Sequence, residues 1–104
     1  MTQQPNLPMH NKVALVTGGG GGIGSAICRR LAEAGAQVVI NYNSNAPKAQ
    51  AVADSLAGEN HLVIQASVTD SAALTQMAAQ VAAHYGRLDL LVNNAGITRP
   101  VPHA

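Results

Sequence analysis

The residues whose types and spacing most suggest chemistry lie at Thr17-Gly18-Gly19-Gly20-Gly21-Gly22-Ile23-Gly24. Glycines let a backbone turn sharply and approach an anion with no Cβ in the way. Gly19, Gly21 and Gly24 satisfy G-x-G-x-x-G, while Gly18, Gly22 and Gly24 satisfy G-x-x-x-G-x-G with Thr17 just before. Both registers suit a turn beneath a dinucleotide pyrophosphate, with the next helix presenting unpaired N–H groups and its positive dipole end. A mononucleotide P-loop is disfavoured. Gly19 and Gly24 have its spacing, but Ser25 stands where the lysine belongs. The bland alternative, a flexible loop, is outweighed by the apolar strand before the glycines and the amphipathic helix after them.

The other reactive residue types form no second constellation. The single cysteine, Cys28, falls inside the first helical pattern, so it reads as a small core or helix-flank residue and no internal disulfide exists. His10 and His103 fall in expected tails, His61 begins a strand and His84 ends a helix; no metal spacing links them, and they read as ordinary surface histidines. Lys12, Arg29, Arg30, Lys48, Arg87 and Arg99 are scattered and the net charge is +1, which leaves no basic stripe for nucleic acid. Residues 1–11 are polar with two prolines and lack a signal-peptide pattern, so they read as a flexible tail. No apolar run has the length of a membrane span, and a cytoplasmic protein is expected.

With 104 residues, the chain holds one domain with a modest core of small aliphatic side chains, there being no Phe or Trp. Val13–Val16 is a continuous apolar run, suited to a central parallel strand buried on both faces. A helix follows, with Ile23, Ala26, Ile27, Leu31 and Ala34 as its apolar stripe and Gly35 at its end. Gln37–Asn41 is the second strand. Pro47 suits the first turn of a second helix, whose stripe is Ala49, Val52, Ala53 and Leu56. His61–Ala66 is the third strand. Thr69, Asp70 and Ser71 offer caps for a third helix that carries Leu74, Met77, Ala78, Val81, Ala82 and Tyr85 inward. Leu88–Val92 is the fourth strand, and it delivers Asn93-Asn94-Ala95-Gly96 at its carboxyl end. Four strands alternating with three helices imply an α/β, doubly wound parallel sheet, whose ligands gather at the carboxyl ends of the strands.

Thr17-Gly18-x-x-x-Gly22-Ile23-Gly24, followed some seventy positions later by Asn93-Asn94-Ala95-Gly96, resembles the short-chain dehydrogenases/reductases. The approach Tyr85-Gly86-Arg87-Leu88-Asp89-Leu90-Leu91-Val92 is similar to that family's run into its second motif, most of all in 3-oxoacyl-carrier-protein reductases and sugar dehydrogenases. The resemblance implies a Rossmann-type sheet in the order 3-2-1-4, here incomplete, with residues 12–97 as a partial dinucleotide-binding domain and 98–104 as a tail. It also implies an NAD(P) cofactor. Gly18, Gly20, Gly21, Gly22, Ile23 and Gly24 would lie against the pyrophosphate and adjoining ribose, Ser67 and Val68 at the adenine edge, and Asn94, Ala95 and Gly96 along the nicotinamide side, with Asn93 bracing the sheet. After the second strand the acid that would bind a ribose 2′-hydroxyl is missing; Asn43 and Ser44 stand there as neutral donors, which favours NADP over NAD. Against this, the arginine that many NADP-using relatives carry is absent at Gly21. Lys48 reads as a solvated surface lysine within reach of that side. Ser67 replaces the family's usual aspartate and gives a weaker, uncharged hydrogen bond.

The family's chemistry is hydride transfer between an alcohol and a carbonyl, run by a serine and a Tyr-x-x-x-Lys pair one helical turn apart. Neither tyrosine here fits: Ala46 follows Tyr42 by four, and Asp89 follows Tyr85 by four. The expectation is therefore an N-terminal portion of an oxidoreductase that carries the cofactor half and no catalytic residues. Two alternatives are a non-catalytic nucleotide-binding module and a remnant without activity. The fourth strand then becomes a sheet edge, through which the chain is expected to self-associate.

Overall fold

In the computed structural model, residues 7–67 and 71–94 are described. The elements run β1 (Val13–Thr17), α1 (Gly22–Glu33), β2 (Gln37–Tyr42), α2 (Ala46–Ser55), β3 (Leu62–Gln65), α3 (Ser71–Tyr85) and β4 (Leu90–Asn93). The strands are all parallel, in the order β3-β2-β1-β4. This is the doubly wound α/β arrangement expected from the alternation of apolar runs. β1 is central and buried at every residue, so both of its faces are apolar.

Strand alternation divides the core into two layers. Val16, Val38 and Ile40 point to one face, where Cys28 and Ala32 of α1 and Ala49 and Val52 of α2 cover them. Val13, Leu15 and Val39 point to the other, where Met77 and Val81 of α3 cover them. The inward faces expected for α2 and α3 are those observed. That of α1 is not. Its buried residues are Gly24, Ser25, Cys28 and Ala32, while Ile23 is 74% exposed and Ala26 is exposed. The reason is distance: α1 sits so close to the strand exits that only small side chains fit beneath it, and Ile27 and Leu31 pack at the rim instead.

The strand starts also differ from expectation, because side chains replace ladder bonds there. β4 begins at Leu90, two residues later than its apolar run. Asp89 donates its N–H to the Val13 carbonyl and takes the Val13 N–H on its carboxylate, each at 2.9 Å. Arg87 holds the same carboxylate through Nε and Nη2, both at 2.8 Å. β3 begins at Leu62, opposite Val39. The Val38 N–H just below that pair is taken by Nδ1 of His61 at 3.0 Å, and Nε2 of the same ring lies 2.7 Å from the Ala57 carbonyl. His61 is thus a half-buried bracket rather than a surface histidine. The α2 start follows the sequence reading: Asn45 accepts the Lys48 N–H on its side chain, and Pro47 occupies the first turn. At the amino-terminal side, Met9 donates its N–H to the Ala34 carbonyl at 2.8 Å and packs against the α1 layer.

Candidate functional site

β1 empties into the glycine turn at Gly18, whose φ of +67° is a conformation that a side chain disfavours. The turn is held from within and from β2. Gly21 donates its N–H to the Gly18 carbonyl at 3.2 Å, Gly19 donates to the Asn41 carbonyl at 3.0 Å, and Gly18 donates to Asn41 Oδ1 at 3.2 Å. At Gly24 an added Cβ would drive into the Gly18 carbonyl oxygen and come within 2.9 Å of the Gly19 Cα, so the first turn of α1 lies directly on the loop. At Gly22, by contrast, an added Cβ meets nothing within 4 Å.

That open side is where α1 presents its amino end. Gly21 is the N-cap residue and supplies no side chain to the helix N–H groups, and no acid lies in the first turn. The N–H groups of Gly22, Ile23 and Gly24 have no carbonyl one turn back inside the helix, and with the dipole they favour an anion. Ile23 is exposed beside them. Ser25, buried, closes on the Gly22 carbonyl at 3.0 Å.

The second motif meets the first across β1. Asn94 donates its N–H to Thr17 Oγ1 at 2.8 Å and its side-chain amide to the Gly18 carbonyl at 3.3 Å. Thr17 Oγ1 also lies 3.0 Å from Asn93 Oδ1 and 3.3 Å from the Val92 carbonyl, so Asn93 ties β4 to β1. Thr17 is buried, which makes its hydroxyl the joint between the two motifs. Of the remaining positions singled out from the sequence, Ser67 is exposed past the end of β3. Val68, Ala95, Gly96 and the segment 98–104 lie outside the described residues.

Between the glycine turn and the β2 exit is a cleft of about 230 Å³. Gly18, Gly20 and Gly21 form one wall, and Tyr42, Asn43, Ser44, Asn45 and Lys48 form the other. Gln65 steadies the second wall by donating its side-chain amide to the Asn43 carbonyl at 2.7 Å. Among these described lining residues Lys48 carries the only charge. The cleft therefore offers a cation and neutral donors with no carboxylate to repel an anion. Lys48, read from the sequence as a solvated surface lysine, is exposed and lines this cleft beside Asn43 and Ser44. Asn41 was not singled out from the sequence, although an amide closing the apolar run Val38-Val39-Ile40 is a signal in itself, because a buried amide demands partners.

No group of three or more His, Cys, Asp or Glu side chains among the described residues could hold a metal ion. Cys28 is fully buried beneath the turn, 4.0 Å from the Gly19 carbonyl, and desolvation pushes its thiol up to about 11. It is core, not a nucleophile. Among the described residues no helix is long and apolar enough to cross a membrane.

A glycine turn at the carboxyl edge of a central parallel strand, opening onto a helix amino end, is the arrangement of the Rossmann-type α/β proteins. The sequence matches the family profile described as short chain dehydrogenase over residues 12–104, and the chain belongs to that family. It is 43% identical over 98 residues to a hydroxynaphthalene reductase of Aspergillus fumigatus, covering 92% of this chain and 36% of that protein. It is 46% identical over 90 residues to a 3-oxoacyl-[acyl-carrier-protein] reductase of Staphylococcus aureus, covering 85% of this chain and 37% of that one. Among solved structures, a Burkholderia cenocepacia short chain dehydrogenase in complex with NADP superposes with a TM-score of 0.77 at 45% identity, over 88% of this chain and 38% of that one. A Serratia marcescens short-chain dehydrogenase/reductase superposes with a TM-score of 0.79 at 49% identity, over 86% and 38%. The chain thus spans little more than a third of the length of these relatives.

Proposed function

We propose that this chain is the cofactor-binding, N-terminal portion of an NAD(P)-dependent oxidoreductase that transfers hydride between an alcohol and a carbonyl, and that NADP is its preferred cofactor. The observation that carries the reading is the cleft beside the glycine turn, which pairs a lysine and neutral donors with no lining carboxylate. In this reading the pyrophosphate sits over Gly18, Gly20, Gly21, Gly22, Ile23 and Gly24. Asn43 and Ser44, with Lys48 behind them, receive the 2′-phosphate. Ser67 and Val68 meet the adenine edge, and Asn94, Ala95 and Gly96 run beside the nicotinamide. The Burkholderia relative's NADP complex supports the cofactor class.

When bound, the cofactor supplies the hydride. This chain's own residues bind and orient it: helix N–H groups neutralise the pyrophosphate, and the Thr17–Asn94 joint fixes the nicotinamide side relative to the turn. Neither tyrosine has a lysine four residues on, so the chain by itself is expected to bind without turning over. The outer edge of β4, where Leu90 and Leu91 are 37% and 41% exposed, is the expected place of self-association, and the cytoplasm the expected compartment.

The test is a fluorescence titration of the purified chain with NADPH and NADH, with its mass followed by light scattering. Saturable binding that is tighter for NADPH is expected. Equal or tighter binding of NADH would remove the argument from the missing acid, and absence of binding to folded protein would remove the cofactor reading itself.

A further inference from the structure

Asn41 follows the apolar run Val38-Val39-Ile40 of β2, is 1% exposed, and has both ends of its side-chain amide partnered. Oδ1 accepts the Gly18 N–H at 3.2 Å, and Nδ2 donates to the Ala66 carbonyl at 3.0 Å and to the Ile64 carbonyl at 3.4 Å. One amide thus spans from the glycine turn to the exit of β3, immediately before Ser67. We propose that Asn41 is a positioning residue for cofactor binding, a clamp that fixes the glycine turn against the β3 exit so that the pyrophosphate seat and the adenine side keep one register. The proposal rests on the cofactor reading above.

The chemistry requires an amide. The Gly18 side of the clamp needs an acceptor, and the β3 side needs a donor for two carbonyl oxygens. Aspartate has nearly the same shape but only accepts; it keeps Gly18 and sets a carboxylate against the Ala66 and Ile64 carbonyls. Leucine keeps the volume and supplies neither. In both variants the Gly19 N–H retains its bond to the backbone carbonyl of residue 41, which no side chain alters.

The test compares the whole chain with Asn41→Asp, Asn41→Leu and a control, Val81→Ala. Val81 is fully buried under the opposite face of the sheet, in the α3 layer away from the turn. NADPH affinity is read by nicotinamide fluorescence at temperatures where each variant is folded. Asn41→Asp and Asn41→Leu are expected to weaken binding roughly tenfold, while Val81→Ala lowers the melting temperature and leaves the affinity of the folded protein unchanged. Unaltered affinity in Asn41→Asp, or an equal loss in Val81→Ala, overturns the assignment. Amide hydrogen exchange without cofactor gives a second reading: Asn41→Leu should speed exchange at Gly18 roughly tenfold and leave Gly19 nearly unchanged. Equal change at both, or change at neither, removes the clamp. A folded wild-type chain that fails to bind NADPH defeats the cofactor reading, and the exchange pattern then decides separately whether the clamp exists.

Discussion

Gly22→Ala separates the fold from the site, because at this position the two respond in opposite directions. Gly22 is the first residue of α1 and does not have a positive φ, so alanine fits its backbone. Apart from its own helical turn, an added Cβ meets nothing within 4 Å. Removing the freedom of a glycine at a compatible position stabilises the folded state by about 0.4–1 kcal/mol. If the pyrophosphate lies over the start of α1 as proposed, the same methyl would compete with it for that open space. Overpacking there is expected to cost about 1–3 kcal/mol of binding, roughly a 5- to 150-fold rise in Kd. Gly24→Ala is the converse. Its Cβ collides with the backbone at Gly18 and Gly19, which no rotamer relieves, so the fold itself loses at least about 1–3 kcal/mol. Urea denaturation gives the first quantity and NADPH titration of folded protein the second. A Gly22→Ala chain that binds NADPH as tightly as the wild type refutes the placement of the anion over α1.

The remaining predictions concern the fold that carries the site. The Asp89 carboxyl is lowered to about 2, first by the Arg87 hydrogen bonds and then by the Val13 N–H. Since its folded value lies below the unfolded one, its contribution is complete above about pH 4 and is lost as the pH falls towards 2; Asp89→Asn should flatten the acid-denaturation profile in that window. Cys28, buried and protonated, should resist a thiol reagent at pH 8 in the folded chain and react at the normal rate in urea; fast labelling of native protein would contradict its placement beneath Gly19. His61→Ala leaves the Val38 N–H without its acceptor and should cost about 1–3 kcal/mol in urea denaturation; a change within error would mean the bracket is dispensable.

The element order, the parallel sheet and the glycine turn at its carboxyl edge were legible because they depend on local signals: apolar runs of strand length, helical spacing and glycine at the turns. The α1 face was not, and the reason is specific. Reading a stripe by hydrophobicity favours Ile23 and Ala26, but the face of α1 that rests on the glycine turn is made of small residues, Gly24, Ser25 and Cys28. His61 and Asp89 escaped for a related reason. Each stands one residue before a strand and fills, with its side chain, a hydrogen bond that the ladder does not reach, which depends on register and not on residue type.

The same distinction explains how the site works as a unit. Its glycines lie within seven residues, yet most of the bonds that shape them come from far along the chain: Asn41 lies 23 residues from Gly18, and Asn94 lies 76 residues from Gly18 and 77 from Thr17. Beyond the local bond from the Gly21 N–H to the Gly18 carbonyl, the turn is therefore held only when β2 and β4 flank β1. An isolated β1–α1 peptide carries the whole glycine motif and lacks every one of these restraints, so the motif alone does not make the seat. It follows that a ligand bound at the turn reads the integrity of the four-stranded sheet, and by mass action returns stability to it, about 2.7 kcal/mol at a hundredfold excess over Kd. Detaching the start of β4 from Val13 by a substitution at Asp89 should then lower NADPH affinity along with stability in urea, because β4 carries Asn94 to Thr17 and Gly18, whereas a loss confined to the α3 layer should lower stability alone.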